Sequence, residues 1–137
     1  MKIMAIDYGD AHTGVAICDR TQSIVGFSTV VTAYRPEAVI EQLRAIIEEH
    51  EVGALVLGHP LNMDGTRGPR AEKAEGFAGM LREATGLEVT LWDERRTTID
   101  AHNILAGNGK RAKERKKTVD AVAAALMLEG YLRYLQR

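Results

Sequence analysis

Three carboxylates define the chemistry open to this chain. Asp7 closes the apolar run Ile3 to Ile6, Glu94 follows the strand-like Val89-Thr-Leu-Trp92, and Asp120 precedes eight consecutive apolar residues, Ala121 to Leu128. A carboxylate at the end of a buried element is costly to desolvate unless something pairs with it. Three of them, delivered inward from separated elements, make an oxygen-rich site for a hard divalent cation such as Mg²⁺ or Mn²⁺. Each acid also has a plainer reading. Asp7 can accept bonds from the turn amides at Gly9 and beyond, and Asp93 with Glu94 can be a solvated strand end. Asp120, read as the opening of a helix, is favoured there by the helix dipole by roughly 0.3–1 kcal/mol. The apolar setting of Asp7 and Asp120 favours the metal reading. So does Gly9, which lets the backbone come close to a ligand or another strand. Asp93 and Glu94 are adjacent, so in extended structure they face opposite ways and only one can turn toward the site.

Cations and amides form the second set. Residues Asn62 to Arg70 make a Gly-rich polar stretch in which Asn62, Thr66, Arg67 and Arg70 are suited to phosphate oxygens. Lys110 to Lys117 carries six basic residues against one Glu, among them Lys113, Arg115, Lys116 and Lys117. Such a run is either an electrostatic footprint for nucleic acid or a solvated loop, and it can be both. No aromatic residue interrupts it, so base stacking is not expected there. The histidines lack metal-ligand spacing, and only His59, beside the polar stretch, has a place near a substrate.

The elements that must hold these groups read clearly. Strands are expected over Lys2 to Asp7, Thr13 to Cys18, Ile24 to Val31, Gly53 to Leu57 and Leu87 to Trp92. Pro36 opens a helix to about His50, with Val39, Ile40, Leu43, Ile46 and Ile47 at helical spacing. Pro69 opens a second that ends before Gly86. Thr98 is placed to cap a third, stopping near Gly107, and Thr118 to cap a last one running to about Leu135, after a basic loop from Gly107 to Lys116. Short connections make the first three strands an antiparallel meander, and helical crossovers make the other two parallel. The expected fold is therefore α/β, a five-stranded mixed sheet flanked by helices. Asp7 and Glu94 then fall at carboxyl ends of strands, where such sheets bind ligands.

Composition bounds the rest. At 137 residues, with 45% hydrophobic and 27% charged, the chain reads as one domain, 1–137, with a real core. A lone Cys18 excludes an internal disulfide, gives no support for a thiolate zinc site, and suits a packed core thiol. No apolar stretch approaches membrane-spanning length and no signal peptide opens the chain, so a cytoplasmic location is expected.

Four motifs carry a resemblance. These are Asp7-Tyr-Gly9 followed by Gly14-Val-Ala16, Gly58-His-Pro-Leu-Asn-Met-Asp-Gly65, Asp93-Glu-Arg-Arg-Thr-Thr98, and Val119-Asp-Ala-Val-Ala-Ala124. Over essentially its whole length the chain resembles the YqgF (RuvX) family of Holliday-junction-resolvase-like nucleases. The resemblance implies a ribonuclease H-like fold and a nuclease of the bacterial interior that processes the 5′ end of pre-16S ribosomal RNA. It selects Glu94 over Asp93 as the third ligand beside Asp7 and Asp120, leaving Asp93 as an acceptor for Arg95 or Arg96. These three acids would be both the metal ligands and the catalytic residues, with Arg95 among the groups that neutralise phosphate. His59 and Arg96 depart from the family's usual aliphatic residues at those places. The alternatives are a resolvase acting on branched DNA, which would work as a homodimer rather than a monomer, and a non-enzymatic nucleic-acid-binding module. An actin-like phosphotransferase, suggested by Asp7-x-Gly9, needs a second domain for which this chain is too short.

Overall fold

The computed structural model of the chain describes residues 1–93 and 112–136. In chain order they form β1 (Lys2–Asp7), β2 (His12–Cys18), β3 (Val25–Thr32), α1 (Pro36–His50), β4 (Val52–His59), α2 (Pro69–Thr85), β5 (Val89–Asp93) and α3 (Ala112–Leu135). The five strands lie in the order β3-β2-β1-β4-β5. The β1–β2 and β2–β3 pairs are antiparallel, while β4 runs parallel to both β1 and β5. This is the mixed sheet expected of a ribonuclease H-like fold.

The pleat divides the apolar residues between two faces. Met4, Ile6, Val15, Ile17, Leu55, Leu57 and Val89 pack against Val39 and Leu43 of α1 and Phe77 and Leu81 of α2. Ile3, Ala5, Ala16, Cys18, Val56 and Trp92 pack against Ala124, Met127, Leu128 and Leu132 of α3. Side chains alternate along a strand, so these memberships fix where the strand ends point. Asp7 shares parity with Ile3 and Ala5, and Gly14 with Ala16 and Cys18, so both belong to the α3 face. Tyr8, His59 and Asp93 continue the other parity and belong to the α2 face.

Helix ends follow from local chemistry. Pro36 and Pro69 sit in the first turns of α1 and α2, where a missing N–H costs nothing. Glu51 (φ 56°) and Gly86 (φ 71°) close them in the left-handed region.

Several boundaries differ from the sequence expectation. β4 continues to His59, so His59 is a strand end rather than a loop residue. β5 starts at Val89 and includes Asp93. The larger correction concerns α3, which starts at Ala112. Thr118 therefore lies inside the helix and does not cap it, and the expected basic loop is helical from Ala112 onward. Ala, Lys, Glu and Arg are strong helix formers, and reading the stretch by its charge hid that propensity. Asp120 consequently lies beyond the first two turns of α3, out of range of the helix-dipole effect that would have explained it without a ligand. The helix expected from Thr98 to Gly107 lies outside the described residues. Among the described residues, no helix is long and apolar enough to cross a membrane.

Candidate functional site

The site is built where β1 ends. Asp7 pairs with Gly14 across the antiparallel ladder, and α3 crosses directly over that pair. A Cβ on Gly14 would lie 2.1 Å from the backbone carbonyl oxygen of Asp120 and 2.7 Å from its carbonyl carbon. No side chain tolerates such an approach, so glycine at position 14 is what allows α3 to rest on the sheet here. The contact sets Asp120 against the strand pair that carries Asp7, on the face toward which Asp7 points. Both acids are half-buried. Carboxylates gathered at one place repel one another unless a cation or a proton intervenes. Their hard oxygen donors fit Mg²⁺ or Mn²⁺.

Two of the three expected acids are thus brought together. Glu94 and Arg95 lie outside the described residues, and among the described residues no group of three metal-ligating side chains forms. Asp93 does not join the pair, because it follows Val89 and Leu91 on the α2 face. Gly9 has an internal reason to be glycine. A Cβ there would lie 2.3 Å from the carbonyl oxygen of His12, so the turn that returns β2 beside Asp7 has no room for one.

The α2 face of the same sheet end carries Arg67, Arg70 and Lys73, and the polar stretch beside it is bonded within itself and to α2. Asn62 and Thr66 are exposed and bonded within their own loop. Asn62 Nδ2 donates to Thr66 Oγ1 at 2.9 Å, and Thr66 donates its N–H and hydroxyl to Asp64 Oδ1 at 3.0 and 2.6 Å. Gly65, at φ 88°, makes the tight turn between them. Arg67 is also engaged. Its Nε donates to Glu75 Oε2 at 2.7 Å and its Nη2 to Oε1 at 2.5 Å. His59 Nε2 meets the same Glu75 Oε2 at 2.7 Å. The guanidinium of Arg67, and then the His59 ring, hold the Glu75 carboxyl down at about 2. This clamp ties the loop after β4 to α2 through Arg67 and His59.

Arg70 lines a cavity. The cavity measures about 230 Å³ and is lined by Tyr8, Asp10, Pro60, Pro69, Arg70 and Lys73, among others. Tyr8 stacks on Phe77 with ring centroids 3.9 Å apart and planes 2° apart, and burial pushes its hydroxyl pKa up. Lys73 Nζ donates to Asp10 Oδ1 at 2.5 Å, a bond that raises the lysine's pKa. Tyr8, Asp10, Lys73 and Glu75 escaped the sequence reading. The available signal was positional, since a helix entered straight from the end of β4 must stand its first turns beside the carboxyl ends of β1 and β4. The backbone of Lys113, Arg115, Lys116 and Lys117 belongs to the start of α3, and their side chains lie outside the described part.

Known proteins match this arrangement. The family model described as RuvX, Holliday junction resolvase, matches residues 1–134. A protein of Halothermothrix orenii named "Putative pre-16S rRNA nuclease" is 40% identical over 134 residues, covering 98% of this chain and 96% of that one. A protein of Desulfitobacterium hafniense with the same name is 42% identical over 138 residues, covering 100% and 95%. Among solved structures, RuvC of T. thermophilus in complex with Holliday junction substrate aligns with a TM-score of 0.56 at 15% identity, covering 99% of this chain and 96% of that one. The Fowlpox virus resolvase, solved with Holliday junction DNA, aligns with a TM-score of 0.60 at 12% identity over the whole of both chains. At such identities the structural matches establish the shared fold.

Proposed function

Because this chain belongs to the RuvX family, we propose that it is a divalent-metal-dependent nuclease that hydrolyses phosphodiester bonds in the 5′-end processing of pre-16S ribosomal RNA in the cytoplasm. The observation that carries the metal-dependent reading is the crossing of α3 over Gly14, which sets Asp120 on the face toward which Asp7 points. Asp7 and Asp120, with Glu94, are the residues that would hold one or two Mg²⁺ or Mn²⁺ ions. A bound ion of this kind supplies an activated water and stabilises charge developing on the phosphate. The protein's own residues bind and orient. The acids fix the cutting position at the end of β1, while Arg70, Lys73 and Arg95 neutralise phosphate charge around it. No side-chain nucleophile is required.

The relatives' name supports the ribosomal RNA substrate. The family description supports a second reading, cleavage of four-way DNA junctions. Junction resolution needs two active sites, one per cut strand, and hence a dimer, whereas end processing proceeds with a monomer. The deciding experiment sets labelled precursor ribosomal RNA beside a synthetic four-way junction, each with Mn²⁺, for the wild type and Asp7→Asn. The expected result is cleavage of the RNA by the wild type and none by Asp7→Asn, since that change removes charge with little change of shape. Undiminished turnover by Asp7→Asn would sink the mechanism, and symmetric cutting of the junction alone would move the substrate to DNA.

A further inference from the structure

Asp7 and Tyr8 are consecutive in β1, so their side chains leave on opposite faces. The acids gather on the α3 face, and the cavity beside Tyr8 opens on the α2 face. From Asp7 to Gly9 the chain covers at most about 7 Å, a span that one nucleotide step can bridge. A strand of nucleic acid laid across the carboxyl ends of β1 and β4 would therefore reach both places at once.

The cavity has the chemistry of a phosphate subsite. Its walls are stiff, being made by two prolines, Pro60 and Pro69, and by a tyrosine ring stacked on Phe77. Its cations are Arg70 and Lys73. Lys73 is held in two ways. Its Nζ lies 5.7 Å from the centroid of the Tyr8 ring, within cation–π range, and it donates to Asp10 at 2.5 Å. The first contact is made to the cavity wall and does not involve Asp10. The second is an exposed ion pair, with side chains 53% and 90% accessible. Such pairs contribute little to folding, so this one is easily exchanged. Asp10 stands on the turn just after Asp7 and lines the same cavity as Arg70 and Lys73.

We propose that Arg70 and Lys73 bind the phosphate next to the one that is cut, and that Asp10 occupies Lys73 until that phosphate displaces it. Asp10 is thus a built-in competitor of the substrate, and it favours ligands with enough negative charge to replace a carboxylate. The assignment to a neighbouring phosphate rests on the nuclease reading above. The exchange itself does not, because it can be read by binding alone.

Removing the two partners should have opposite effects, which a merely structural ion pair would not produce. The test measures fluorescence anisotropy of a labelled single-stranded oligoribonucleotide, without metal and at several salt concentrations, for wild type, Lys73→Ala, Lys73→Arg and Asp10→Asn. The same proteins are then assayed for cleavage with Mn²⁺. Lys73→Ala should weaken binding several-fold and lower the salt slope by about one contact, Lys73→Arg should restore both, and Asp10→Asn should tighten binding several-fold. No change in Lys73→Ala overturns the subsite. Weakening in Lys73→Ala with no tightening in Asp10→Asn overturns the exchange, and so do shifts of the same sign in both, which would mark the pair as structural. If the opposite shifts appear while the wild type cleaves neither RNA nor junction, the nuclease reading fails and the exchange stands. If the wild type cleaves and the shifts are absent, the exchange fails and the nuclease reading stands.

Discussion

One end of the sheet serves two faces, and they are built by different means. On the α3 face, Asp120 is placed by backbone contact, the helix lying so close to Gly14 that no side chain fits between. On the α2 face, placement is by side-chain pairing, with Glu75 holding Arg67 and His59, and Asp10 holding Lys73. Backbone contact fixes where Asp120 stands relative to the strand pair that carries Asp7. Side-chain pairing neutralises charge, which suits a surface that must hold its shape and release a cation only to a stronger anion.

The largest effect should come from testing which face does the chemistry. Asp120→Asn should reduce single-turnover cleavage to background with the fold intact. Asp93→Asn should keep most of it, because Asp93 follows Leu91 on the α2 face. Equal losses in the two variants would show that strand alternation does not separate the roles of these acids, and the two-face division would have to be redrawn.

Next in size is the backbone contact itself. Gly14→Ala forces α3 off the sheet, and destabilisation near the upper end of the overpacking range, about 3 kcal/mol, should appear as a lower urea midpoint. Gly26 in β3 is the control, because a Cβ there meets nothing within 4 Å. Gly26→Ala should leave stability unchanged or slightly raised. A Gly14→Ala protein as stable as the wild type would mean that something other than this contact holds Asp120.

Much of this division was legible in the residues, and the part that was not has physical causes. The strand directions followed from connection lengths, and the apolar run into Asp7 marked a strand end that needed a partner. Gly14 gave no such signal, because a glycine inside a strand pattern does not say which element presses on it. The start of α3 was misplaced because a dense charge run reads as solvated loop, while its Ala, Lys, Glu and Arg also favour helix. Asn62, Thr66 and Arg67 were the right kinds of residue for phosphate, but only the structure shows the bonds they make to Thr66, Asp64 and Glu75 respectively. Lys73 lay on a helix face whose orientation could not be read before the helix was docked.

The basic start of α3 sharpens the comparison from the substrate side. Replacing Lys113, Arg115, Lys116 and Lys117 by Ala should weaken binding of any sequence. It should also reduce the salt slope by about 3 if all four meet phosphates of a single strand, at roughly 0.7 per contact. Cleavage at saturating substrate should be retained, since the acids are untouched. Equal slopes for the two proteins would leave Arg70, Lys73 and Arg95 to hold the nucleic acid.

The smallest effect tests the clamp on the α2 face, and pH is the way to read it. The Glu75 carboxyl titrates at about 2 in the folded chain against its usual 4.5. A depressed value means that the folded state prefers the carboxylate. Its contribution to stability is therefore fully present above pH 4.5 and is lost as pH falls toward 2. Glu75→Gln never carries that charge, so its deficit in unfolding temperature against the wild type should shrink steadily as pH falls from 4.5 to 2. Arg67 is the larger cause of the depression and His59 the smaller. Arg67→Ala should accordingly move the foot of the titration up toward 4.5 by more than His59→Phe does. If His59→Phe moves it further, the ring rather than the guanidinium anchors the loop to α2, and the clamp must be redrawn around the end of β4.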